Sequence, residues 1–283
     1  MLDIQSMVEE FDPIRKTNEY IKYKLNFMKE HPNYFTADGL VLFVGMQGKG
    51  KTLSAVNYTY NLLKNFPHAK LCTNLMLKDY PIVTFEEWLL DFDEEKYNFY
   101  LDLNEKGKEI FENEHFNIYL KMNRVFPFNN QDDLMRYRNG EKGMIFLIDE
   151  IQLYFNSLES KNINMDVMVT ISQQRKQRIH IIGTSQVFGR MAKPLREQFN
   201  VVVVCDKYFN FIQCNKIVNR DDIQESTDDM HVEGKVMRKC WFIHSPRYYG
   251  RYDTYYTISR TKFVSNEQKK GDIYDSRTNT TNN

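Results

Sequence analysis

Eight residues, Gly45-Met-Gln-Gly-Lys-Gly-Lys51-Thr52, have the spacing G-x-x-x-x-G-K-[ST] and follow directly on the apolar run Leu40-Val-Leu-Phe-Val44. A buried strand that delivers the chain to a glycine turn and then to a helix N-terminus presents backbone N–H groups to an anionic phosphate. Gly45, Gln47, Gly48, Lys49 and Gly50 would form this loop. Lys51 would reach the β/γ-phosphates of a nucleoside triphosphate, here ATP, and the Thr52 hydroxyl would bind Mg²⁺. An acidic pair, Asp149-Glu150, ends the apolar run Met144-Ile-Phe-Leu-Ile148. A carboxylate at a strand end beside a phosphate loop can hold the Mg²⁺ shell, which assigns Asp149 to the metal. Neighbouring side chains on a strand point to opposite sides, so Glu150 is left to activate water. That chemistry is hydrolysis. Transfer to a second nucleotide would exclude water rather than activate it, and no arginine-rich lid segment follows.

Two further groups could complete the site. Gln173-Gln174-Arg175-Lys176-Gln177-Arg178 lies where a helix gives way to a strand. Arg175 or Arg178 would there serve as an arginine finger against the γ-phosphate of a neighbouring subunit, or would merely complement a helix dipole. Gln186, at the end of the next strand, would touch the γ-phosphate or the attacking water, or would simply terminate the strand.

These residues need a scaffold. Helical spacing predicts a helix over 14–30, before the first strand, and another from Leu53 to Phe66. Strands are expected at His68–Leu75, Met144–Ile148, Ile179–Thr184 and Val201–Cys205, with antiparallel additions at Phe209–Ile217 and Val236–His244. A helix is expected over Asn164–Gln177. Residues 85–140 read as an insertion without a clean strand, with Val125-Phe-Pro-Phe-Asn-Asn130 as a loop inside it. The sum is an α/β fold with a central, mostly parallel sheet flanked by helices and carrying antiparallel edge strands. Residues 1–37 would be a helical arm, 38–264 the nucleotide-binding domain, and 265–283 a disordered tail.

The chain has 283 residues with 38 basic and 38 acidic side chains, so no overall field marks a nucleic-acid binder. The balance hides segregation. Residues 86–114 carry eleven acids against three lysines, and 231–270 carry nine Lys/Arg against three acids. Either segment is accounted for by a solvated face, and a neutral total leaves room for a basic channel. Cys72, Cys205, Cys214 and Cys240 lack zinc or disulfide spacing and read as buried thiols in a reducing compartment. No signal peptide and no membrane span are expected, which points to the cytoplasm.

The order of phosphate loop, Thr73-Asn74-Leu75, Ile148-Asp-Glu-Ile-Gln152, and Arg175 followed by a strand ending in Thr184-Ser185-Gln186 resembles the zonula occludens toxin-like ATPases. These belong to the FtsK/HerA superfamily of DNA-pumping P-loop motors, many of them encoded by phages and mobile elements. The resemblance covers roughly residues 38–260, and Tyr252-Asp253-Thr254 is similar to a short sequence near the end of that family's ATPase domain. It implies a ring-forming ATPase, hexameric or pentameric, that moves DNA. Members that extrude filamentous phage carry a membrane span after this domain. Its absence here points instead to packaging a genome into a capsid, with a capsid or portal protein as docking partner and the host cytoplasm as location. The family's finger arginine corresponds to Arg175 or Arg178. A translocase must grip phosphates whatever the sequence, and Lys193, Arg196, Lys235, Arg238 and Lys239 are candidates. The aromatic-basic stretch Arg247-Tyr-Tyr-Gly-Arg-Tyr252 would either share in that grip or, the favoured reading, form an edge strand with half-buried tyrosines. The rival readings are an assembly ATPase acting on coat proteins and a nucleotide-dependent switch or scaffold.

Overall fold

The apolar run Met144–Ile148 has no side that could face water, and it forms a strand buried at every position. The computed structural model describes residues 13–157, 163–220, 223 and 234–253. The chain opens with α1 (Pro13–Glu30), β1 (Gly39–Val44), α2 (Lys51–Asn65), β2 (Lys70–Thr73) and β3 (Met76–Leu77). It continues through α3 (Phe85–Phe92), α4 (Glu94–Asp102), α5 (Glu105–Met122), β4 (Val125–Pro127), α6 (Asp133–Arg136) and β5 (Met144–Ile148). The remaining elements are α7 (Met165–Ser172), β6 (Ile179–Ser185), α8 (Lys193–Arg196), β7 (Val201–Tyr208), β8 (Ile212–Asn219), β9 (Val236–Ile243), α9 (Pro246–Tyr249) and β10 (Tyr252–Asp253).

Eight strands make one sheet in the order β4-β2-β5-β6-β1-β7-β8-β9. The first six in that order run parallel, and β8 and β9 add antiparallel at one edge. This is the expected α/β class. Both sheet faces are covered, as a parallel sheet requires. Met144, Phe146 and Ile148 face a core that includes Trp88, Leu89, Tyr119 and Phe155. Ile145 and Leu147 face the other core, with Ala55, Val56 and Leu63 of α2. Because all six strands run the same way, the segments after β1, β2, β5 and β6 all emerge at one end of the sheet. Those segments carry Gly45–Thr52, Asn74, Asp149-Glu150 and Gln186.

Several elements differ from the sequence expectation. Val125–Pro127, expected as a loop, is a parallel strand paired with β2. Three residues are too few to show alternation, and Pro127 is tolerated because β4 is an edge strand with one partner. The segment Arg247–Tyr252, expected as an edge strand, is instead the helical turn α9, with Pro246 in its first turn, followed by β10. β10 pairs antiparallel with β3 in a separate two-stranded sheet. α7 stops at Ser172 rather than Gln177, and the chain turns into β6 with Arg178 at φ 56°. β8 begins at Ile212, because Phe209 and Asn210 form the hairpin turn at φ 49° and 62°.

Within residues 85–140, α3–α5 bury Trp88, Leu89, Tyr100, Phe111 and Tyr119 in the main core and turn their acids outward. Each begins at a capping side chain, Thr84, Asp93 and Asn104 respectively. α1 stands apart, with Tyr20, Ile21, Leu25 and Met28 exposed. Its root is tied down by rings, Phe27 lying 4.6 Å from His31 and 4.8 Å from Tyr34. The four cysteines are free thiols, three of them buried. Among the described residues no helix is long and apolar enough to cross a membrane. The tail from 265 lies outside the described residues.

Candidate nucleotide site

The loop 45–52 owes its shape to two glycines that nothing else could replace. Gly45 has φ 150°, and a Cβ there would sit 2.7 Å from the Cys205 carbonyl oxygen. Gly50 has φ 78°, and a Cβ there would sit 2.1 Å from Gln213 Oε1. Gly50 is also the N-cap of α2, which has neither a capping side chain nor an acid in its first turn. The first-turn N–H groups have no intrahelical partner, so this terminus suits an anion. Lys51 is buried and its Nζ donates to the Met46 carbonyl at 3.3 Å.

At the end of β5 the carboxylate of Asp149 gathers two hydroxyls on a single oxygen. Thr52 Oγ1 donates to Oδ1 at 2.8 Å and Thr184 Oγ1 donates to the same atom at 2.7 Å. Burial raises the pKa of Asp149, and the two hydroxyl bonds oppose that rise. A buried carboxylate and a hydroxyl side by side are the hard oxygen donors that Mg²⁺ takes. Asn74, buried, clamps this corner by accepting from Asp149 N–H at 2.8 Å and donating from Nδ2 to the Asp149 carbonyl at 2.9 Å.

Glu150 is separated from Asp149, though not by strand alternation. β5 ends at Ile148, and Glu150 adopts the left-handed conformation at φ 50°. That geometry costs a non-glycine residue about 1–2 kcal/mol. Its N–H donates to Thr184 Oγ1 at 2.9 Å. Gln186 Nε2 donates to its Oε1 at 3.0 Å, and Gln152 Nε2 donates to Oε2. Thr184 therefore joins the two acids, as acceptor from one and donor to the other.

No family model and no curated protein matches this chain. Solved structures with a similar fold include the N-terminal domain of zonular occludens toxin from Neisseria meningitidis, at 14% identity and TM-score 0.45, covering 77% of this chain and 100% of that one. The genome packaging NTPase B204 from Sulfolobus turreted icosahedral virus 2, in complex with AMPPCP, is 9% identical at TM-score 0.44, covering 72% of this chain and 100% of that one. The flagellar accessory protein FlaH from Methanocaldococcus jannaschii is 13% identical at TM-score 0.37, covering 64% of this chain and 78% of that one. The chain is an α/β protein whose structural neighbours include these three.

Reading the sequence missed one support of the loop. Gln213 on β8 is fully buried, and its Nε2 donates to the Lys49 carbonyl and to Asn215 Oδ1, both at 3.0 Å. Asn215 also accepts from Ser54 Oγ of α2 at 3.1 Å. On its other side Gln213 Oε1 lies 3.0 Å from His244 Nε2. The signal was present: Gln213 and Asn215, two residues apart, put two amide side chains on one face of β8.

The two arginines lie elsewhere. They precede β6, whereas Gln186 follows it, so about 20 Å of strand separates them from their own phosphate loop. Arg178 is 25% exposed, bonded to Asp38 Oδ2 at 3.2 Å and stacked 4.2 Å over Tyr34. Arg175 is 84% exposed, and its Nε lies 3.9 Å from Asp38 Oδ2.

The basic candidates do not form one stripe. Lys193 and Arg196 lie on α8, where Lys193 approaches Glu197 at 3.8 Å and Arg196 sits 5.4 Å over Phe188. Lys235 precedes β9, and Arg238 and Lys239 are exposed on it. As strand neighbours these last two point to opposite faces.

Proposed function

We propose that this chain is an Mg²⁺-dependent ATP hydrolase that works as a DNA-translocating motor in a ring of identical subunits. The observation that carries the hydrolase reading is the corner built on Asp149, where Thr52 and Thr184 meet one oxygen while Glu150 is turned aside by its positive φ. Thr52 Oγ1 and Asp149 Oδ1 would hold Mg²⁺, which neutralises charge on the β- and γ-phosphates when bound. The uncapped N-terminus of α2 and Lys51 would receive the triphosphate. Glu150, held by two amides, would take a proton from the attacking water. Gln186 is the neighbour placed to hold or release it.

Arg175 is the finger this reading favours. Arg178 is committed to Asp38 and Tyr34, and Arg175 lies too far from its own loop to act anywhere but on a neighbour. The DNA part of the reading rests on the motif resemblance, and a viral packaging role in the host cytoplasm, docked to a capsid or portal protein, is proposed with it.

Two variants test the hydrolase. Lys51→Ala should abolish Mg²⁺-dependent ATP hydrolysis, and Glu150→Gln should retain ATP binding while turnover falls about a hundredfold or more. Wild-type turnover in Lys51→Ala would remove the reading.

A further inference from the structure

On the flank of α2 away from the phosphate loop, a cleft of about 490 Å³ is lined by three segments distant in sequence. α2 contributes Tyr60 and Lys64, the segment after β3 contributes Lys78 and Tyr80, and the α9 turn contributes Arg247 and Arg251. The walls are joined by hydrogen bonds rather than by chance proximity. Lys78 N–H donates to the Arg251 carbonyl at 2.9 Å, and Tyr60 OH donates to the same oxygen at 3.1 Å. Tyr60 OH in turn accepts from the Asp79 N–H at 3.3 Å. Arg251 is fixed by donating to Asn57 Oδ1 of α2 at 2.6 Å.

Four cations line this cleft against one carboxylate, Asp79. Among the described residues Lys64, Lys78 and Arg247 have no ion-pair partner within 4.0 Å. Unpaired like charges held together repel each other, and such an arrangement is stabilised by an anion. The aromatic residues narrow the choice of anion. The guanidinium of Arg251 lies 4.5 Å over Tyr60, that of Arg124 lies 5.1 Å over Tyr80, and the two rings meet edge to face at 5.2 Å. Each ring already has a cation on one face and its neighbour against it, so the cleft provides charge and N–H donors rather than a platform for a base. A free nucleotide would need that platform. A nucleic-acid backbone presents phosphates in series, which basic side chains contact whatever the base.

We propose that this cleft binds the phosphodiester backbone of a nucleic-acid strand, as a second anion site separate from the phosphate loop. The proposal rests on the motor reading above and places part of the strand's path on Lys64, Lys78, Arg247 and Arg251. It also gives a physical route from strand to nucleotide. Asn57, Tyr60 and Lys64 belong to the helix that begins at Lys51, so a pull on the cleft acts on α2 itself. A second connection runs from α9 to the loop, since Tyr249 OH lies 2.5 Å from His244 Nδ1 and His244 reaches Gln213 at 3.0 Å.

The test is fluorescence anisotropy with a labelled oligonucleotide of about 20 nucleotides, single and double stranded, at about 25 mM salt, where phosphate contacts are strongest. Full-length wild type is compared with Lys64→Glu/Lys78→Glu/Arg247→Glu, with its charge-neutral counterpart Lys64→Gln/Lys78→Gln/Arg247→Gln, and with Arg238→Glu/Lys239→Glu. The charge-reversed cleft should bind at least about tenfold more weakly, with the salt slope reduced by about two to three, and the neutral variant should lose less in the same direction. Affinity for a fluorescent ATP analogue should stay within about twofold, which shows that the fold and the phosphate loop survive. A cleft variant that binds the oligonucleotide as wild type does overturns the proposal, even if Arg238→Glu/Lys239→Glu is impaired. Displacement of the oligonucleotide by an equal concentration of tripolyphosphate overturns it too, by making the ligand a small polyphosphate. If wild type itself binds neither strand form, the motor reading falls with it.

Discussion

Gln186 Nε2 donates to Glu150 Oε1 at 3.0 Å, joining the ends of two neighbouring strands across the mouth of the candidate site. Glu150 is thereby restrained by the residue that follows β6, a strand whose other end is preceded by the turn carrying Arg175. A shift of β6 at a subunit contact would be felt at Glu150. Gln186→Ala should therefore separate ATP turnover from its control. Basal hydrolysis should stay within about threefold of wild type while stimulation by DNA drops toward one. If basal turnover instead falls as far as in Glu150→Gln, Gln186 acts on the reacting water rather than on Glu150.

The loop prediction concerns Gln213. Gln213→Leu keeps the volume but leaves the Lys49 carbonyl and Asn215 Oδ1 without their shared donor. Leaving buried polar groups unpaired costs about 1–3 kcal/mol. ATP affinity should drop by about tenfold with Lys51 and Thr52 intact, as measured by titration, alongside a lower Tm. A stability loss with unchanged ATP affinity would make Gln213 a core residue with no hold on the phosphate loop.

How much of this was legible follows from what each residue type can hide. The runs Leu40–Val44 and Met144–Ile148 have no polar side, and Ile179–Thr184 carries only His180 and Thr184 as polar residues, so strands buried on both faces accommodate them, and the phosphate loop follows from its spacing. β4 was illegible because three residues carry no period. The turn at Pro246–Tyr249 was illegible because distant partners fix it, Arg251 against Tyr60 and His244 against Gln213. The direction of Glu150 could not be read, since a φ of 50° is imposed by the bonds to Thr184, Gln186 and Gln152 rather than by the residue's own preference. Gln213 and Asn215 could have been read, from their alternation on β8.

The position of Arg175 makes a claim about assembly. Arg175→Ala should keep ATP binding and lose turnover by about a thousandfold or more. Mixing it with Glu150→Gln should restore part of the activity, because some interfaces then pair an intact Glu150 with an intact Arg175. Mixed rings that form and stay inactive would exclude Arg175 as the residue acting in trans. Arg178→Ala is the matched control and should lower stability through Asp38 and Tyr34 rather than turnover.

The most direct measurement of the account is steady-state ATP turnover by the assembled protein, with Mg²⁺, with and without double-stranded DNA of unrelated sequences, across a range of salt. A DNA motor predicts hydrolysis stimulated several-fold by any sequence, with the stimulation falling steeply as salt rises because phosphate contacts release counterions. Hydrolysis that depends on Lys51 but is unchanged by single or double strands at low salt would contradict the motor. The site would then belong to an ATPase that acts on protein partners.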